Sequence, residues 1–205
     1  MGVLKTALEW MLRFFFDLSG SYGIAIILLT LAIRLILAPL TFSQSKSMEA
    51  MKALQPEMQA LQERYKDKPE EYQRKVMELY QKHKVNPLGG CLPMLVQLPF
   101  LWALFAVLRE FDFGTGFLWL TSLSAPDPYY VLPVLSAITT YIQMMMTSAD
   151  ASQKSMMFIM PVFIGYISIN FPAGLVIYWV VSNLFSMGQQ YLIARKMNPQ
   201  EGGNA

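Results

Sequence analysis

One arginine stands where a charge is costly. Arg34 lies inside Ala25-Ile-Ile-Leu-Leu-Thr-Leu-Ala-Ile-Arg34-Leu-Ile-Leu-Ala-Pro-Leu40, part of a stretch long and apolar enough to cross a bilayer. A charge within a spanning helix costs about 2.5–3.5 kcal/mol on insertion scales and typically faces a partner or a water-filled cavity. No Asp or Glu occurs between Asp17 and Glu49, so this stretch offers no local counter-ion. The chemistry on offer is electrostatic: a fixed cation in a low-dielectric setting attracts anions more strongly than in water. The bland alternative is that Arg34 bonds backbone carbonyls freed by nearby prolines.

Thr30 precedes Arg34 by four residues, on the same helical face. Gln97, Gln143, Tyr178, Trp179, Ser182 and Asn183 are further polar or polar-tipped residues in apolar stretches. Singly, each reads equally as hydrogen-bonding glue between helices. Together with Arg34 they are expected to line a wet groove. Met144, Met145 and Met146 end one apolar stretch, and Met156, Met157 and Met160 begin the next. Flexible thioethers suit a surface that accepts varied apolar segments, although they also serve as packing filler. The single cysteine, Cys91, forms no intramolecular disulfide, and the single histidine, His83, makes no zinc site alone. No cofactor is expected.

Charge segregation gives the elements that must hold these residues. Of 205 residues, 54% are hydrophobic and 15% charged, and charge is absent from 88–108, 128–148 and 155–194. This predicts an all-α membrane protein with five transmembrane helices at 21–42, 88–108, 129–147, 155–171 and 173–194. Residues 1–20 carry apolar residues at helical spacing with Lys5, Glu9 and Arg13 on another side, predicting an amphipathic interfacial helix. Residues 43–87 hold nine Lys or Arg and seven Asp or Glu. Met51, Leu54, Met58, Leu61 and Tyr65, then Tyr72, Val76, Leu79 and His83, follow coiled-coil spacing. An antiparallel helical hairpin outside the membrane is expected, with Pro69 opening its second arm. Asn86-Pro87 and Gly89-Gly90 mark re-entry, 109–128 an extracytoplasmic loop with interfacial aromatic residues, 148–154 a short link and 195–205 a tail.

Nine cations in the hairpin, Lys154 in the link, and Arg195 and Lys196 in the tail lie on one side of such a topology. Only Lys5, Arg13 and Arg109 lie on the other. The positive-inside rule puts the hairpin and C-terminus in the cytoplasm and the N-terminus outside. Arg34 then sits about 12 Å below the cytoplasmic boundary at 1.5 Å per residue.

Ile33-Arg34-Leu-Ile-Leu-Ala-Pro39-Leu-Thr41, Leu54-Gln-Pro56, Val85-Asn-Pro-Leu-Gly-Gly-Cys-Leu-Pro93 and Gln97-Leu-Pro99 follow one another along the chain. Asp127-Pro-Tyr-Tyr130, Phe171-Pro-Ala-Gly174, Tyr178 and Ser182-Asn183-Leu184 continue the series. In these motifs and their order the chain resembles the YidC family of membrane-protein insertases, which has relatives in mitochondria and chloroplasts. The resemblance implies an insertase and chaperone in the bacterial plasma (inner) membrane, in the short form or as a trimmed core. Its hydrophilic groove is expected to open to cytoplasm and lipid, with Arg34 inside and with Thr30 and the Tyr178/Trp179 region contacting the incoming segment. The implied partners are nascent membrane proteins, membrane lipids and, through the hairpin, the ribosome, signal-recognition components or the Sec translocon. Sequence-specific nucleic-acid binding is not expected. Apolar burial in lipid drives such a step, so no nucleotide hydrolysis is expected, and Gly114-Thr-Gly116 is too short to be a phosphate loop. The rival is a channel or secondary transporter with Arg34 as an anion site, but no internal repeat is visible. An enzyme is not expected: the spans contain no Asp, Glu or His, and Cys91 has no base nearby in sequence.

Overall fold

The computed structural model describes residues 2–83, 85, 92–110, 113, 116–147 and 154–197. The Asn86-to-Cys91 re-entry motif, the centre of the 148–154 link and the tail from 198 lie outside them. Eight helices follow in order: α1 (Gly2–Ser19), α2 (Tyr22–Ala53), α3 (Gln55–Arg64), α4 (Pro69–Lys82), α5 (Leu92–Glu110), α6 (Val131–Thr147), α7 (Lys154–Ser168) and α8 (Ala173–Met197). Among the described residues there is no strand beyond a single bridge between Phe117 and Leu120.

α1 and α2 meet at Gly20, whose φ of 67° suits glycine. Its N–H donates to the Phe16 carbonyl at 2.7 Å and closes α1. α1 buries Leu8 and Leu12 against α2 and α5, while Val3, Trp10, Phe14 and Leu18 face outward. Both of its faces are thus partly apolar, and Val3 is on the outer one.

α2 does not stop at Phe42. It runs unbroken through the charged residues to Ala53, with Pro39 inside it. No Gly or Pro interrupts 43–53, and Pro56 falls in the first turn of α3, where its missing N–H costs little. The polar helical pair that follows is therefore α3 and α4. They bury Leu54, Met58 and Leu79, with Leu61, Val76, Tyr80 and Val85 packed around them. The Tyr80 hydroxyl lies 3.3 Å from Met58 Sδ.

α8 is the central post: α2, α5 and α6 all pack on it. α6 and α7 form an antiparallel pair, with Ser136 and Ser168 joined at 3.1 Å at one end and the Tyr141 and Phe158 rings 5.7 Å apart nearer the other. The core gathers Ala25, Ile26, Leu29 and Ile33 of α2, Leu104, Val107 and Leu108 of α5, and Leu175 to Tyr178 of α8. Among the described residues one helical stretch, Tyr22–Ser43, is long and apolar enough to cross a membrane. Val131–Met146 and Met156–Ser168 are shorter apolar helices.

The 117–130 segment caps two helices at one end of the bundle. The Ala125 and Leu123 carbonyls accept the Ala173 and Gly174 N–H groups at 2.8 and 2.9 Å, satisfying the start of α8. A side chain at Gly174 would meet Ile26 Cδ1 at 3.0 Å and the Leu123 carbonyl at 3.3 Å, so the loop and α2 approach closely only over glycine. Leu118 and Tyr130 adopt φ of 54° and 58°, uncommon for non-glycine residues, at the two ends of this cap.

Candidate functional site

The polar residues of the apolar helices fall into two groups on neighbouring stripes of α8. Thr30 and Arg34 lie one turn apart on α2. Tyr178 and Ser182 lie one turn apart on α8, the helix against which α2 packs. Tyr178 is the electrostatic neighbour of the Arg34 guanidinium. Arg34 is half-buried, and no carboxylate or hydrogen-bond acceptor pairs with it among the described residues. Thr30 is fully buried, and its hydroxyl donates to the Ile26 carbonyl at 2.6 Å, so it is already satisfied within α2. Ser182 Oγ is buried with no hydrogen-bond partner among the described residues.

The second group joins α8 to α6. Trp179 Nε1 donates to Thr140 Oγ1 at 3.1 Å. In the amide orientation that satisfies both its ends, Asn183 Nδ2 donates to Gln143 Oε1 at 2.5 Å. Its Oδ1 then accepts from the Thr140 hydroxyl at 3.0 Å. Trp179, Thr140, Asn183 and Gln143 thus form one connected interhelical chain, and Asn183 is buried. Gln143, Trp179 and Asn183, expected to line one groove with Arg34, stand in this network with Thr139 and Thr140, which are absent from that expectation. Two adjacent threonines in Ala-Ile-Thr139-Thr140-Tyr, four and three residues before Gln143, were the available signal. Gln97 lies on α5, but its side chain is outside the described residues.

Two further polar contacts had no place in the sequence reading. Gln189 Nε2 donates to Thr41 Oγ1 at 2.8 Å and reaches the Ala38 carbonyl at 3.3 Å, tying α8 to α2 beside Pro39. Below this contact, Leu35, Ala38, Pro39, Phe42, Phe185 and Leu192 line an open apolar groove of about 780 Å³ between α2 and α8.

The methionines occupy one end of the α6–α7 pair, Met144 to Met146 closing α6 and Met156 to Met160 opening α7. Met145 and Met156 are exposed; Met144, Met146, Met157 and Met160 are partly buried. Among the described residues no cluster of His, Cys, Asp or Glu is suited to hold a metal ion.

The model of the family described as 60Kd inner membrane protein matches residues 14–201. A membrane protein insertase YidC of Geobacter sulfurreducens is 48% identical over 195 residues, covering 93% of this chain and 37% of that protein. Those of Caldanaerobacter subterraneus and Fusobacterium nucleatum are 43% and 46% identical and are covered over 99% and 96% of their lengths. The chain therefore spans about a third of one relative and nearly the whole of two others. An active YidC insertase crystal structure with the first transmembrane domain resolved superposes with a TM-score of 0.78 at 33% identity, covering 92% of this chain and 46% of that one.

Proposed function

The chain belongs to the YidC family of membrane protein insertases, a family of inner-membrane proteins, and from that premise we propose that it moves nascent membrane-protein segments into the bilayer along a hydrophilic face built on α2 and α8. Five spans, α2, α5, α6, α7 and α8, enclose that face; α3 and α4 stand in the cytoplasm, and α1 lies at the opposite surface. The observation that carries the proposal is Arg34 itself: a half-buried cation inside an apolar helix, without a carboxylate partner among the described residues and beside Tyr178.

A polar segment crossing a bilayer loses its hydration, and each unsatisfied amide or hydroxyl costs several kcal/mol. A wet face shortens the distance over which that cost applies. Ser182 Oγ, buried without a protein partner among the described residues, is a group that a groove water would satisfy. Arg34 attracts acidic residues of the entering segment. Its field is strongest where the local dielectric is low. The apolar part of the segment then moves sideways into lipid past the methionines at the α6–α7 end, and burial at about 25 cal/mol per Å² makes the step downhill. The hairpin receives the ribosome, signal-recognition components or the Sec translocon.

Purified protein in liposomes tests the reading with a single-span substrate bearing an acidic N-terminal segment. Arg34→Ala is expected to lose most insertion and Arg34→Lys to retain it. Full insertion by Arg34→Ala with the same substrate would remove the arginine from the mechanism.

A further inference from the structure

α6 ends without a cation of its own. Its last turn contains no basic residue, while the final carbonyls of any α-helix lack intrahelical donors and carry a partial negative charge. Lys52, one residue from the end of α2, supplies what is missing. Its Nζ donates to the Met146 carbonyl in that last turn and, at 2.9 Å, to Glu49 Oε1 on its own helix. The Lys52 and Glu49 side chains are only 24% and 21% exposed, unlike the solvated Lys68–Glu71 pair of the hairpin at 65% and 42%. α2 and α6 each pack on α8, so this bond adds a direct tie between helices otherwise linked through the central post.

We propose that Lys52 is a positioning residue that holds the root of the hairpin against the end of α6. A single residue, Leu54, separates α2 from α3, and its N–H bonds back to the Met51 carbonyl at 3.1 Å. A joint that short makes the direction of α3 and α4 follow the end of α2. Fixing Lys52 on Met146 therefore fixes where the hairpin stands relative to α6, at the same end as the methionines. Glu49 balances the ammonium and keeps it directed across the gap. The inference rests on the reading of α3 and α4 as the cytoplasmic arm of an insertase, but the bond itself is testable without insertion.

The test uses the full chain in liposomes with Cys91→Ser and spin labels at Gln73 on α4 and Ile142 on α6, both exposed. A second pair, at Val134 on α6 and Val162 on α7, reports the core. Pulsed dipolar distances are compared for the parent, Lys52→Met and Lys52→Arg. The hairpin distance is expected to be narrow in the parent, to broaden and shift longer in Lys52→Met, and to return in Lys52→Arg. The core distance stays unchanged in all three. Identical hairpin distributions in all three would overturn the proposal, and so would broadening of the core pair along with the hairpin pair, because Lys52 would then support folding in general. Failure of the parent to insert a substrate, with its hairpin distance narrow and that of Lys52→Met broadened, counts against the insertase reading and leaves the tie standing.

Discussion

Asp127 organises the capping segment more than its place in a short motif suggests. Its buried carboxylate accepts from Trp119 Nε1 at 3.0 Å, from the Tyr129 N–H at 3.0 Å and from the Leu132 N–H at 2.7 Å. The Leu132 bond satisfies one of the free donors at the start of α6. Charge-assisted bonds of this kind are stronger than neutral ones. Asp127→Ala leaves two backbone donors and an indole N–H without that partner. It is expected to destabilise the fold by ~1–3 kcal/mol, read by thermal unfolding in detergent, with Asp127→Asn between it and the parent. The Trp119 bond was not legible in Asp127-Pro-Tyr-Tyr130, because the indole becomes a neighbour only when the loop turns back on itself; the Tyr129 N–H, two residues on, is a local partner of the kind an Asp in a turn commonly takes. Arg34 was legible, since a charge inside an apolar helical stretch stands out without any knowledge of packing.

The helices divide the polar residues by the face that each presents. α8 directs Tyr178 and Ser182 along one stripe and Trp179 and Asn183 along the next, a turn of about 100° per residue. Sequence spacing gave the helices but not which neighbour each stripe meets, so the α6 network merged with the arginine group. If Asn183 and Gln143 act as a pair, a double-mutant cycle with Asn183→Leu and Gln143→Leu gives a coupling of roughly 0.6 kcal/mol, within the range found between membrane helices. Additive losses would show that the bond contributes nothing. In the hairpin, the Lys75 ammonium donating to Glu78 at 2.6 Å holds that carboxyl below its ordinary value, against some desolvation, with the charges of Lys75 and Arg74 assisting. A lowered value in the folded chain favours the ionised form. Its contribution is present above the unfolded midpoint and fades as pH falls through the folded one. The pair is exposed, so titration rather than stability is the readout: in Lys75→Met the Glu78 midpoint, followed by NMR, rises. Of the spaced residues Met51, Leu54, Met58, Leu61, Tyr65, Tyr72, Val76, Leu79 and His83, the apolar cluster of α3 and α4 holds Leu54, Met58, Leu61, Val76 and Leu79, and Tyr80 and Val85 join it from outside that spacing. The continuation of α2 to Ala53 was not legible, because polar composition marks where apolar surface ends and not where a helix does.

At the scale of the molecule, α8 stands between α2 and α6, the 117–130 segment caps one end, and Lys52 and Gln189 tie helices near the other. Such an arrangement leaves polar groups of α2 and α8 inside an otherwise apolar bundle. The all-helical class and the family were readable from charge segregation and motif order. The cross-bundle ties were not, since Lys52 and Met146 are 94 residues apart. An insertase of this build is expected to meet an entering polar segment at the inner stripe of α8 rather than at its outer surface. A photoreactive residue at buried Ser182, on the stripe that carries Tyr178, compared with one at exposed Leu184 two residues on, addresses this directly with a stalled nascent chain bearing an acidic N-terminal segment. Crosslinks from position 182 to the acidic segment, lost in Arg34→Ala and absent from position 184, are the expected result. Equal crosslinking from both positions, or from 184 alone, would contradict it.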